Sequence, residues 1–259
     1  KYSRSTKACR RDTKRRRSRI SKRYFMNFIE EIPQSLSRLK NPPKKLFYKG
    51  NLELLNLPLV SIVGSRRASR YTKECVYALA KTLSSAGVCV VSGGALGTDI
   101  EAHRGAFPNT IGIFGNGLDK IYPQINSKII KKIYDESLAL SEYEPGTPSL
   151  PYRFLERNRI VVGLSKALVV AQADFLSGSM QSARMAKLAG IDIYVLPQRL
   201  GESDGTNALL AKGEANLIND LDKFAQRFCE GDFTVKKEDD ELISFCKNGA
   251  SLDLSLIHI

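Results

Sequence analysis

The chain has only two histidines, His103 and His258, and its five cysteines are odd in number, widely spaced and free of any CxxC pair. A histidine-based metal centre or a Ser–His–Asp triad would have to rest on His103 alone, and no GxSxG elbow accompanies it. Cys9, Cys75, Cys89, Cys229 and Cys246 therefore argue against a disulfide frame or a zinc site and for reduced thiols in a cytoplasm. No apolar run reaches membrane-spanning length, because Lys166 interrupts the best candidate, "IVVGLSKALVVAQA" (160–173). Neither a dinucleotide GxGxxG nor a nucleotide-triphosphate GxxxxGKS/T is present. The expectation is a soluble cytoplasmic protein with no metal, no cofactor and no membrane partner.

What the chain does have is positive charge, +13 in 259 residues, but it is unevenly placed. Residues 1–25 hold twelve Lys and Arg against the single acid Asp12, which leaves the remaining chain at only +2. This arm has too few apolar residues to offset its ordering entropy and is read as a disordered basic leader. Because Met26 is followed at once by "NFIEEIPQSL", a non-native leader accounts for the arm as well as a DNA-binding tail does, and the high pI is weak support for either.

From Leu59 onward, short β-branched runs (60–64, 88–92, 110–114, 138–142, 167–171 and 192–196) alternate with helix-forming stretches near 70–86, 98–106, 124–134, 153–164, 179–189 and 206–212. Such alternation, with nearly continuous apolar strands, predicts an α/β fold: a doubly wound, mostly parallel sheet with helices on both faces and a ligand site at the carboxyl ends of the strands. Residues 27–58, with the turn signal "KNPPKKL", are expected to wrap the sheet as a short lead-in, so the main domain spans 26–231. After it, "KKEDDE" and "DELISFCKNG" read as a linker and the start of a C-terminal domain (232–259).

The strand ends carry the chemistry. After the first strand, Gly64 permits a tight turn, Ser65 is expected to cap the next helix, and Arg66 and Arg67 suit phosphate oxygens through forked hydrogen bonds. After the second, "SGGALGTDIEAH" places Ser92, Gly93 and Gly94 before a helix opened by Gly97, Thr98 and Asp99, a second phosphate-sized nest. His103 on that helix is read as a core or cap-supporting residue. After the fourth, "SEYEPGTPSLPYRFLERNRIVVGLS" sets Phe154 on the same helical side as Arg157 and Asn158, with Arg159 next to them. An aromatic plane beside cationic and amide donors is how unpaired strands are held. The bland alternative buries Phe154 and pairs the arginines with Glu156 or Glu144. Ser177, Gly178 and Ser179 follow the fifth strand, and Asp204 to Asn207 form a polar helix opening after the sixth.

"GSR", "SGGALGTDIEAH", "RFLERNRIVVGLS", "SGSMQSARMA" and "LPQRLGESDGTNALLAKGEANLI" stand in the order and spacing of the DNA-processing protein A (DprA/Smf) family, which this sequence resembles from about Ile32 to Ile218. The resemblance implies a Rossmann-like core that binds single-stranded DNA without sequence preference, protects incoming strands in natural transformation and helps load a recombinase. It also implies a homodimer with no catalytic residues and no cofactor. Carried over by position, the strand-binding set is Ser65, Arg66, Arg67, Ser92, Gly93, Phe154, Arg157, Asn158, Ser177, Gly178 and Ser179, to which the strand-end reading adds Gly94 and Arg159. Leu176 and Pro151 stand where related sequences offer lysines, which implies a less cationic pocket. A competing reading takes "GGALGTDIE" as the phosphate site of a nucleotide phosphoribohydrolase of the lysine-decarboxylase-like group, with Glu101 as its acid. Against it, Ser92 occupies the position where that group has proline.

Overall fold

The computed structural model describes residues 26–229, so the basic leader and the expected linker and C-terminal fragment lie outside the described residues. Each apolar run seen in the sequence is a strand. The central one, β3 (Leu59–Val63), is buried along its whole length, with Val60 and Ile62 in the core on one face and Leu59 and Val63 in the core on the other. Burial on both faces is why it reads as continuous rather than alternating.

The remaining strands are β1 (Phe28–Ile29), β2 (Leu46–Gly50), β4 (Cys89–Ser92), β5 (Thr110–Phe114), β6 (Leu138–Ser141), β7 (Ala167–Val170), β8 (Asp192–Val195) and β9 (Asn216–Leu217). They form one sheet in the order β1-β2-β6-β5-β4-β3-β7-β8-β9, parallel from β6 through β9. The chain thus steps outward from β3 through β4 and β5 to β6, then crosses back to lay β7 against the other side of β3. That reversal opens a crevice at the carboxyl ends of β3 and β7, where ligands bind in open α/β sheets.

The helices are α1 (Arg70–Ser85), α2 (Thr98–Ala106), α3 (Ser127–Glu136), α4 (Pro151–Leu164), α5 (Gly178–Leu188), α6 (Asp204–Ala211) and α7 (Leu221–Gln226). On one face the cores of α4, α5 and α6 cover the sheet, and on the other α1, α2 and α7 do; α3 packs with Phe47 and Phe114 toward the β2 edge. The start of α4 is set by Pro151 in its first turn, where a missing N–H costs nothing. Inside the sheet, Ser61 Oγ lies 2.6 Å from both the Val161 carbonyl and Ser165 Oγ, which fixes α4 on β3.

Two expectations need correction. The lead-in does more than wrap the sheet, because β2 pairs antiparallel with β6 and β1 with β2, adding the edge of the sheet. Ser65 is not the cap of α1, which begins five residues later with Ser69 accepting from Thr72 N at 3.1 Å. Ser65 Oγ instead accepts from Arg67 N within the turn.

His103 is a core residue, as expected, but only half satisfied. Thr110 Oγ1 donates to the Val90 carbonyl, so it must accept from His103 Nδ1 at 2.7 Å, which leaves Nε2 buried without a partner. Burial, reinforced by the charge of Arg157, lowers this imidazole to about 3. Because the folded form resists a proton that the unfolded chain accepts, stability is full above pH 6.5 and falls as pH drops from there toward 3, by about 1.4 kcal/mol per pH unit. Urea unfolding at pH 7 and pH 5 is expected to show a loss of about 2 kcal/mol that His103→Asn largely abolishes.

Candidate functional site

Two loops interlock at the end of β3. Past Gly64, the Ser65 N–H reaches the Gln172 carbonyl beyond β7, while the Ser65 carbonyl accepts from Thr98 N at 3.2 Å and Thr98 Oγ1 at 3.3 Å. This contact needs two missing side chains. A Cβ on Gly64 would lie 2.4 Å from Thr98 Oγ1, and one on Gly97, whose φ is +74°, would lie 2.4 Å from the Ser65 carbonyl. The loop bearing Arg66 is thereby held against the N-terminus of α2.

Between these loops and the first turns of α4 and α5 lies a cavity of about 270 Å3. Its lining includes Ser65 and Arg66, Asp99, Arg157 and Asn158, and Ser177, Gly178 and Ser179. Arg157 is 4% exposed and Asp99 7%. Burial pulls the Arg157 guanidinium down from its ordinary range, opposed by the Asp99 charge and helped by Arg66. Burial likewise raises the Asp99 carboxyl, against the opposing pull of Arg157, the N–H groups of Ala95 and Gly93, and Arg66. The attraction between the two groups opposes both shifts, and Arg157 Nε has no hydrogen-bond partner. Space for this guanidinium comes from Gly93, where a Cβ would fall 1.8 Å from Nη1. Ser177 caps α5 by accepting from Met180 N, so the amides of that first turn face the same region.

A smaller recess of about 80 Å3 adjoins the cavity and shares Arg66, Phe154 and Arg157 with it. Tyr122, from the loop between β5 and α3, stacks on Phe154 at 5.5 Å between centroids and 22° between planes. The Arg66 guanidinium lies over the Phe154 ring at 5.9 Å.

The structure therefore brings together Ser65, Arg66, Gly93, Phe154, Arg157, Asn158, Ser177, Gly178 and Ser179. Others of the expected set stand apart. Ser92 is fully buried, its hydroxyl donating to the Ile62 carbonyl across the sheet. Gly94 shapes the turn with φ +71° against Phe114. Arg67 is exposed but lines neither recess. Arg159 is paired with Glu142, a carboxylate other than the two considered from sequence. The loop after β8 contributes nothing to the cavity, and Asp204 to Asn207 lie within α6, not before it. Glu101 bonds Arg104 at 3.0 Å and lines neither recess; the acid at the cavity is Asp99. Sequence reasoning did not find Tyr122 or the Asp99–Arg157 partnership, since both depend on loops far apart in the chain. Among the described residues no cluster of His, Cys, Asp and Glu could hold a metal ion, and no helix is long and apolar enough to cross a membrane.

Fold and site define a Rossmann-like domain with a cationic cradle at its topological switch point. The chain belongs to the DNA recombination-mediator protein A family, whose model matches residues 23–229. The DNA processing protein DprA of Streptococcus pneumoniae is 38% identical over 199 residues, covering 75% of this chain and 70% of that protein. Protein Smf of Escherichia coli K12 is 35% identical over 190 residues, 71% of this chain but only 51% of its own length. Among solved structures, DNA processing protein A from Helicobacter pylori, studied for its mode of binding single-stranded DNA, is 45% identical with a TM-score of 0.76, covering 78% of this chain and 95% of that one.

Gly97→Ala, which combines an unfavourable φ with contact between backbones, is expected to cost at least about 2 kcal/mol in urea unfolding.

Proposed function

We propose that the cavity and its aromatic neighbour bind single-stranded DNA without sequence preference, with phosphates in the cavity and an unpaired base in the aromatic recess. The observation that carries this reading is the buried Arg157, a desolvated cation lining a cavity rimmed by Arg66, the serine hydroxyls and the first turn of α5. A phosphate oxygen in the cavity meets this guanidinium through charge-assisted hydrogen bonds, which are stronger than neutral ones. Arg66 and Arg157 hold phosphate charge, while Asn158, Ser177 and Ser179 supply neutral hydrogen bonds. Duplex DNA binds less well because its bases are already stacked on one another. Single-stranded DNA binding by the Helicobacter pylori relative supports the same assignment.

The reading extends, through the family, to protection of incoming strands during natural transformation in the cytoplasm, hand-over to a recombinase, and work as a homodimer. It is a binding function, not a catalytic one: Glu101 is held by Arg104, away from both recesses. Incubation with nucleoside monophosphates is expected to release no free base.

Filter binding with oligo-dT over a range of salt tests the proposal. Arg66→Ala is expected to weaken binding about tenfold and to reduce the salt slope by about 0.7 to 1. Gly93→Ala, which displaces the Arg157 guanidinium from Asp99, is expected to lower affinity to a similar degree and to lower the urea midpoint as well, so its binding is measured at a temperature where circular dichroism shows it folded. Unchanged affinity and slope in both variants would overturn the assignment.

A further inference from the structure

The cavity assigned above to phosphate has one carboxylate in its lining. Asp99, in the first turn of α2, borders it together with Arg66 and Arg157. An ionised carboxylate only accepts hydrogen bonds, and so does a phosphodiester oxygen, so the two repel at close range and compete for the same guanidinium. Little around Asp99 offsets a second negative charge. From α4 it faces Arg157, from the turn after β3 it faces Arg66, and from the loop before α2 only the amides of Gly93 and Ala95, the latter at a long 3.4 Å. The first turns of α5 bring neutral hydroxyls, Ser179 and Ser182. Along α2, Glu101 is held by Arg104, and His103, lowered to about 3, stays neutral. Tyr143, which acts on Arg157, is raised above its ordinary range by burial and by its bond to Glu156. Asp99 is the group left to respond.

Resting on the single-stranded DNA reading above, we propose that Asp99 is a positioning residue that exchanges its charge for a proton when a strand enters. In the free protein the carboxylate holds Arg157 in the niche cleared by Gly93. When a phosphate reaches the cavity, one proton leaves the solvent and forms an O–H bond on an Asp99 oxygen; no other bond is made or broken. The negative charge of the phosphate replaces that of the carboxylate beside the guanidinium, so the buried region keeps its charge balance. The protonated carboxyl has also become a hydrogen-bond donor, the type of group a phosphate oxygen needs. Burial already disfavours the ionised form, and the incoming anion adds to that bias. Linkage then fixes the sign: a group that holds its proton more tightly in the complex strengthens binding as pH falls, by up to about tenfold per pH unit. The gain is complete below the free-state pKa and is lost as pH rises through that of the complex.

Titration calorimetry with oligo-dT tests this, run from about pH 5.5 to 8 in pairs of buffers with contrasting heats of ionisation, with circular dichroism confirming the fold at each pH. The unaltered protein is expected to take up at least about half a proton per bound protomer within this range, and its affinity to rise as pH falls. Asp99→Asn, which keeps the shape and removes the titration, is expected to abolish the uptake, to flatten the pH profile and to bind at pH 8 at least as tightly as the unaltered protein. Arg66→Ala is expected to bind more weakly with its proton uptake retained. If oligo-dT binds the unaltered protein with no uptake and no pH dependence, or if Asp99→Asn takes up the proton all the same, the inference fails while the DNA-binding reading stands. If oligo-dT does not bind at all, both fail together. Should Asp99→Asn fold poorly, NMR of protein carrying 13Cγ-labelled aspartate decides in its place: one carboxyl signal moves to the protonated position on addition of oligo-dT, and a spectrum without that movement overturns the inference.

Discussion

The site depends on how closely two stretches of backbone approach at the end of the central strand. With no Cβ on Gly64 or Gly97, the Ser65 carbonyl can accept two hydrogen bonds from Thr98, and the arginine-bearing turn rests on the start of α2. Any side chain at either position would wedge the loops apart. Arg66 would then lose its place over Phe154, and the cavity between β3 and β7 would lose a wall. The motif glycines are thus spacing elements, and the charged chemistry follows from the spacing they permit.

Burial of charge follows the same logic. Arg157 sits in a space cleared by Gly93 and faces Asp99, whose carboxylate is anchored to the loop amides of Ala95 and Gly93. Neither charge would be tolerated at this depth alone. Together they keep a guanidinium in place with its surroundings already dried, so an incoming anion meets a cation whose water has been removed during folding. Arg66, by contrast, is exposed and acts at the rim. On the DNA-binding reading proposed above, Arg157 contributes preorganisation, and Arg66 reach and electrostatic attraction.

The strands from β3 to β8 are legible in the sequence because each is an apolar run bounded by glycine, serine or a polar turn, and both faces are covered. The helix at Pro151 to Leu164 and its pairing of Phe154 with Arg157 are equally plain from spacing. What spacing does not reveal is the partner of each group. The role of β2 lies in a remote pairing that sets Phe47 opposite Ser141 of β6, and "LFYKG", though as long as β3, ends in lysine and glycine and lacks the apolar pattern of an interior strand. Ser92 has the position of an anion ligand, yet its hydroxyl is drawn inward by the Ile62 carbonyl on the neighbouring strand. Arg159 reads as a third cation, but Glu142, at the end of a different strand, holds it. Side-chain type is local information, whereas the direction a side chain faces is decided by remote segments.

The lead-in adds a consequence of a different kind. Its Arg38 donates to the carbonyls of Gly163 and Ser165, and its β2 strand waits for β6, so both attachments join residues made early to residues made much later. On the ribosome, Leu36 must therefore remain without its full cover until α4 has emerged, and the bond from Arg38 to Gly163 spans 125 residues of chain. Closure of the α4 end is accordingly a late event in synthesis, and during that interval the apolar lead-in stays open to water.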